Sequence, residues 1–345
     1  MQTALRPLHI RGLVIDPPLF LAPMEGLTHS ALRQLMAGFG GVGLLSTEML
    51  SAKRLPGESP RVSPYLIRTA AEPLLSYQLL TSTPDEIGPA IDALHKLPAD
   101  AIDLNMGCPA PAVGKFGAGI RLMESPDEAR AIVREARKRT RLPLTAKIRL
   151  GIEDEAALRD FCMMLQDEGI DLLSVHARKK HESFARSPRW DQVGPIKSRL
   201  SIPVIANGGI FSAQDAINCL AVSGADGLML GRGAVIKPWL FAEIGREVYG
   251  RDIAEPKASL PEVYASFIGN LTSLFRPEYR LGRLKQFTYY FARNYQFGHY
   301  LASRVQSSGS VDEARERANV FFAQNPCPLS GTSIVPGPGC GACMP

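Results

Sequence analysis

The chain has 345 residues, 45% hydrophobic and 21% charged, with a formal net charge of +5. No apolar run approaches the roughly 20 residues of a membrane-spanning helix, and the N-terminus lacks the charged-then-apolar order of a signal peptide. Six cysteines in this length do not suggest a disulfide framework, so a reducing, cytoplasmic setting is expected.

In chain order, residues 1–18 read as a short cap, and residues 19–256 then alternate short apolar runs with helix-periodic ones. The predicted strands are 19–22, 43–46, 74–79, 101–105, 144–149, 172–176, 204–207 and 227–230. Most are continuous apolar runs, the pattern of a parallel sheet covered on both faces. Helices fall between them. Ser125 before Pro126, Asp127 and Glu128 reads as one helix start, and Ser212 with Asp215 as another. Eight βα units over roughly 230 residues predict an α/β protein with a TIM (β/α)8 barrel. A doubly wound open sheet is the alternative, but no Gly-rich dinucleotide fingerprint follows the first strand. After residue 257 the alternation gives way to a small helical domain, 257–325. The stretch 326–345, rich in Pro, Gly, Ser and Cys, reads as a disordered tail. Its Cys340 and Cys343, with Cys327 upstream, are too few for a structural metal site, so no metal is expected.

A barrel places its functional residues at the C-terminal ends of its strands. Pro23, Met24 and Glu25 follow the first strand, Gln78 ends the third and Asn105 ends the fourth. Lys147 and Arg149 end the fifth and His176 the sixth; Asn207, Gly208 and Gly209 follow the seventh, and Gly231 and Arg232 the eighth. Cys108 sits in Asn105-Met106-Gly107-Cys108-Pro109, a turn composition that presents a thiol to a cleft, where it can move a proton. Cys162 and Cys219, in apolar helix-periodic stretches, read instead as small buried hydrophobes. Glycine-rich turns after strands seven and eight expose backbone N–H groups suited to a phosphate, and Arg232 adds a fixed positive charge. A phosphorylated planar cofactor is implied, and flavin mononucleotide fits best, with Lys147 near its N1–O2 edge.

These segments resemble the dihydrouridine synthase family, flavoenzymes that reduce uridines in transfer RNA. The likeness is carried by Ala22-Pro23-Met24-Glu25-Gly26, Asp103 to Pro109, Lys147-Ile148-Arg149-Leu150-Gly151, His176-Ala177-Arg178, Pro203 to Gly208 and Gly231-Arg232-Gly233, which together span nearly the whole barrel. The resemblance implies that Pro23, Met24, Glu25, Gln78, Lys147, His176, Asn207, Gly208, Gly209, Gly231 and Arg232 hold the flavin. It also implies that Cys108 is the general acid and that Asn105 and Arg178 face the uracil. In the implied mechanism NADPH (or NADH) reduces the flavin, hydride passes from flavin N5 to uracil C6, and the Cys108 thiol protonates C5. A free cysteine titrates at about 8.5, so near neutrality it is mostly the protonated donor this step requires.

Three positions depart from the family pattern. The lysine usual after Cys-Pro is displaced to Lys115, Lys179 and Lys180 follow Arg178, and Gly209 stands where an acid is usual. Glu25, where many relatives carry alanine, is similar to the bacterial subgroup that modifies uridine sixteen.

Between Arg276 and Arg304 lie six basic residues and one acid, Glu278; this net +5 equals the whole chain's excess. The family resemblance makes this helical region a tRNA-binding domain, and Arg283 and Lys285 are expected to meet RNA phosphates. Eight aromatics are interleaved there; Phe287, Phe291 and Tyr295, at spacings of four, read as a helical core stripe rather than a base-stacking platform. A monomer is expected. Two other classes remain open on the sequence: a flavin barrel acting on a free pyrimidine or small enone, and an RNA-binding protein on a catalytically dead barrel.

Overall fold

A computed structural model describes residues 6–329. Leu8–Ile10 (β1) and Leu13–Ile15 (β2) pair antiparallel as a hairpin. The eight predicted strands follow: Leu19–Leu21 (β3), Leu45–Ser51 (β4), Leu75–Leu80 (β5), Ala101–Met106 (β6), Leu144–Leu150 (β7), Leu172–Lys179 (β8), Val204–Asn207 (β9) and Gly227–Leu230 (β10). All pair in parallel, in the order β3-β10-β9-β8-β7-β6-β5-β4. A parallel bridge from Phe20 to Leu44 joins the two ends of that order and closes the barrel.

Every residue of β3, β6, β9 and β10 is buried, because helices cover the sheet outside and side chains fill it inside. The hairpin's Ile10 and Ile15 pack with Phe20, Leu44, Leu172, Ile205 and Met229 in an apolar cluster of their own. Several of those partners lie at strand starts, so the hairpin stops the N-terminal end of the barrel.

Five strands run past their predicted ends, β5, β6 and β7 by one residue each and two by more. β4 continues through Thr47 and Glu48, whose polarity reads as a loop in sequence; both side chains are buried, and Thr47 Oγ1 accepts from the Gln78 amide at 3.1 Å. β8 continues to Lys179 through a register shift against β7. Of the two predicted helix starts, Ser212 caps as expected, accepting from Asp215 N. Ser125 does not: its side chain makes no capping bond, and Pro126 with Asp127 and Glu128 opens Pro126–Arg139 without it.

Beyond the barrel, Ser259 and Glu262 form a reciprocal capping box that starts Leu260–Leu274. Arg280–Phe291, Gly298–Gln306 and Val311–Gln324 follow. Phe287, Phe291 and Tyr295 are buried as the stripe predicts, with the Phe267 and Phe287 rings 3.9 Å apart. Asn270 donates to Ala31 O, tying this helical region to the first barrel helix, Ser30–Phe39. Among the described residues no helix is long and apolar enough to cross a membrane. Cys162 and Cys219 are free and buried, while Cys327 is disulfide-bonded, a pairing the cysteine count did not anticipate. The tail predicted to be disordered lies outside the described residues from 330 onward, Cys340 and Cys343 included.

Candidate active site

A cavity of about 400 Å³ opens where the barrel strands end. All the predicted site residues line it except Gln78, Arg283 and Lys285.

The thiol side of the cavity is held by a buried hydrogen-bond chain. β6 leaves the barrel at Met106, and the chain turns back over Asn105, whose Oδ1 accepts from Cys108 N at 3.0 Å and Gly107 N at 3.2 Å. Asn105 Nδ2 donates to Gln78 Oε1 at 2.8 Å, and Gln78 Nε2 donates to Asp103 Oδ2 at 2.6 Å. Asp103 Oδ1 in turn accepts from Thr145 Oγ1 at 2.5 Å. Asn105 therefore reaches the cavity wall, but its amide is engaged in shaping the Cys108 turn. Gln78, fully buried behind it, is placed as the brace of Asn105 rather than at the cavity surface. Burial drives the Asp103 carboxyl above its ordinary range, against the bonds from Thr145 and Gln78 and the charge of Lys147. Cys108 itself is free and half-buried.

The strands next to the thiol side are cationic: Lys147 on β7 is the register partner of Asn105 on β6. Burial pushes the Lys147 ammonium down to about 8, helped by Arg149 and opposed by Asp103 and Cys108. Burial first, then the charges of Lys147, Arg149, Arg178 and Arg232, hold His176 well below the usual imidazole range, so its ring is neutral near pH 7. Arg178 Nη1 lies 3.0 Å from His176 Nε2 and donates to it, while its Nη2 donates to Arg186 O at 2.6 Å. Asn207 Nδ2 donates to Met229 O, locking the end of β9 to β10. Gly208 and Gly209 have φ of +111° and +76°. A Cβ at Gly208 would stand 2.8 Å from the His176 ring, and one at Gly209 would stand 2.7 Å from Pro188. The turn thus needs glycine at both positions, and Pro188 explains the absence of an acid at 209.

These residues fit a phosphorylated flavin. Gly208, Gly209 and Gly231 line the cavity with bare backbone, and a Cβ at Gly231 would meet only ordinary contacts. Lys147 and Arg232 supply positive charge, and no carboxylate pairs with Arg232 among the described residues.

Several lining residues escape a strand-by-strand reading. Phe184 lies on the loop after β8 and Phe211 on the loop after β9; both have guanidinium groups over their rings. Gln286 and Tyr290 come from the helical region, and Gln286 Nε2 donates to Glu25 O at 3.0 Å. Nothing local in the sequence marks residues that meet across 261 positions. Met49 lines the cavity from the part of β4 that reads as a loop.

The two predicted phosphate contacts need correction in part. Arg283 turns inward: its guanidinium lies 4.7 Å from the Phe275 ring, and its Nε is buried with no hydrogen-bond partner. Burial holds the His29 ring well below the usual imidazole range, with Arg283 adding to that effect, and burial raises the Glu48 carboxyl, with Arg283 opposing it. Lys285 is part-exposed and away from the cavity, its carbonyl accepting from Gln306. Lys115 is exposed at the end of the short helix Pro111–Gly114 and does not line the cavity.

Fold and site together define a (β/α)8-barrel enzyme whose mouth gathers a free thiol, several buried cations and glycine turns around one cavity. The chain belongs to the dihydrouridine synthase family: the model of Dihydrouridine synthase (Dus) matches residues 20–297. It is 34% identical to a tRNA-dihydrouridine(16) synthase of Aquipseudomonas alcaligenes, covering 89% of this chain and 99% of that one. It is 32% identical to a tRNA-dihydrouridine(16) synthase of Neisseria meningitidis serogroup A, covering 88% and 94%. Among solved structures, histamine dehydrogenase from Rhizobium sp. 4-9 shares the barrel with a TM-score of 0.57 at 15% identity, over 78% of this chain. The chain spans only half of that structure's length, and the likeness concerns the fold alone.

Proposed function

We propose that this protein reduces the C5–C6 double bond of a uridine in tRNA to 5,6-dihydrouridine, using a flavin mononucleotide held at the barrel mouth and NADPH (or NADH) as reductant. The observation that carries the reading is the pairing, across one cavity, of the free Cys108 thiol with the Lys147, Arg232 and Gly208–Gly209 wall. When bound, the flavin supplies the hydride that the uracil ring receives.

The chain's own residues do the rest. Pro23, Met24, Glu25, His176, Asn207 and Gly231 would complete the flavin's surroundings, with Gln78 acting from behind. Cys108 donates a proton from Sγ to uracil C5, and its turn is kept in place by Asn105. Lys147 and Arg149 interact electrostatically with the Cys108 sulfur. Arg178, all three of whose guanidinium nitrogens are engaged by Arg186 O, Phe184 O and His176, would bound the uracil's space as a fixed positive charge.

The target uracil must leave its stack to reach this depth, at a cost of a few kcal/mol. Residues 257–325, with their excess of positive charge, would hold the tRNA while this happens. Position sixteen is the preferred target on this reading, because relatives bearing that designation align over nearly their full lengths. We further infer a monomer acting in the cytoplasm, where its substrate resides.

The test is direct. Purified protein is incubated with unmodified tRNA and NADPH, and the product nucleosides are measured by mass spectrometry. Dihydrouridine at position sixteen, absent in tRNA from a strain lacking the gene, is the expected result. A colourless protein that yields no dihydrouridine under these conditions would overturn the proposal.

A further inference from the structure

We propose that Phe184 and Phe211 form an aromatic clamp that holds the Arg232 guanidinium edge-on to the cofactor's phosphate, making both of them positioning residues for phosphate recognition. The inference rests on reading this cavity as a flavin mononucleotide site.

Arg232 has an unusual set of neighbours. Its Cζ lies 4.2 Å from the centroid of the Phe184 ring and 5.8 Å from that of Phe211. Among the described residues its guanidinium has no ion pair and no hydrogen bond. The group thus lies over two ring faces while its N–H groups make no bond within the described residues. A guanidinium binds phosphate through those groups, in plane and bidentately, so the arrangement leaves free what recognition uses.

A carboxylate in the place of Phe184 would also hold Arg232, but it would occupy the N–H edges and cancel the charge. An aromatic ring does neither. Its face attracts a cation through the ring quadrupole. The same ring has Arg149 at 5.6 Å and Arg178 at 5.9 Å, and it stacks on the neutral His176 ring, 14° from parallel at 5.9 Å. Phe184 therefore gives three mutually repelling guanidinium groups one uncharged partner.

The loop that carries Phe184 is secured without using Arg232. Arg189 makes two bonds to Glu182 Oε1, at 2.6 and 2.9 Å, and Glu182 Oε2 accepts from Lys179 N at 2.9 Å. Arg178 ties Arg186 O to the barrel. Phe184 is 53% exposed, so its ring contributes little to the core and can be truncated with the fold intact.

The experiment compares binding of flavin mononucleotide and of riboflavin, which lacks the phosphate, to the flavin-free full chain, read by flavin fluorescence. Wild type is expected to prefer the phosphorylated ligand. Phe184→Ala is expected to lower that preference by about threefold to tenfold, with riboflavin affinity unchanged, the scale of a cation–π contact. Phe211→Ala should lower it less, because its ring is farther away, and Phe184→Tyr should keep it. Phe184→Leu, which keeps bulk but removes the π-face, should behave as the alanine variant and serves in its place if that variant misfolds.

An unchanged ratio in variants that still bind both ligands would overturn the clamp and leave the flavin reading standing. Parallel loss of both affinities would also overturn it, as the mark of a merely structural ring. A wild type that fails to distinguish the two ligands would overturn the phosphate site itself, and the clamp with it.

Discussion

The two ends of this barrel are made from the same eight strands but are built of opposite materials. Toward the strand starts, Ile10 and Ile15 of the hairpin meet Leu44, Leu172 and Ile205 in an apolar stopper that reaches up to Met229, a residue of the cavity wall. Where the strands end, Lys147, Arg149, His176, Arg178 and Arg232 face a cavity together with Cys108. One end stores stability and the other spends it: the buried cations cost desolvation, and His176 is held neutral by its own burial first and then by their combined field. A barrel can place such a charged mouth on its strands because the apolar side chains at its opposite end and under its helices supply the buried core.

The comparison makes its strongest demand at the thiol. Cys108→Ala removes a half-buried group that fills no core, so the melting temperature, flavin content and tRNA affinity should stay close to wild type. Turnover should fall by about 10²- to 10⁴-fold, the usual worth of a positioned proton donor. Single-turnover formation of dihydrouridine measures this, and unaltered yield would remove Cys108 from the chemistry. The stopper should behave inversely. Ile15 is fully buried, and Ile15→Ala should cost about 2–5 kcal/mol in urea denaturation while leaving turnover per folded molecule unchanged. A loss of turnover without loss of stability would break the division between the two ends.

The two ends were unequally legible in the sequence. Most of the barrel strands could be read from their continuous apolar runs, which burial on both faces favours. β4 was read too short because Thr47 and Glu48 are polar yet buried, which happens only near a mouth where side chains and backbone offer partners. Residues at strand ends, such as Cys108, Lys147 and His176, were legible because barrel topology fixes where they must go. Asn105 was placed on the correct wall, but its bonds to the Cys108 turn and to Gln78 depend on tertiary geometry. Phe184, Phe211, Gln286 and Tyr290 were missed for one reason: loops and a second region bring them in, with no periodicity to announce it.

Lys147 turns the comparison into a pH experiment. Its folded pKa is about 8, below the roughly 10.4 of a lysine in an unfolded chain. Between those values the unfolded chain carries a proton that the folded one lacks, so this residue makes stability rise with pH across that window. Below pH 8 both states are charged and the folded one bears the full desolvation cost. Lys147→Met should therefore stabilise the flavin-free protein at pH 7, by at most about 3 kcal/mol, with the advantage gone above roughly pH 10. The same variant should hold flavin less well. Denaturation curves from pH 7 to 10 decide it, and a variant less stable than wild type at pH 7 would mean that Asp103 already compensates the charge.

The smallest effects belong to the basic segment, where the same split between binding and support separates two arginines ten residues apart. Arg293 is exposed, its guanidinium 5.6 Å from the Tyr289 ring and 5.5 Å from that of Tyr290, which lines the cavity. Arg283 faces inward over Phe275, beside Glu48, with its Nε buried. If Arg293 meets a phosphate, Arg293→Gln should weaken tRNA binding a few-fold and flatten the log–log salt dependence by about one unit, with stability unchanged. Arg283→Gln should leave that slope as it is, because a group turned toward the barrel releases no counterion from the RNA. It should instead lower stability, since Glu48, whose Oε1 accepts from Gly26 N, would lose the charge that offsets its burial. Filter binding at several salt concentrations separates the two, and equal slopes for both variants would show that positive charge in this segment acts as a diffuse field rather than through particular contacts.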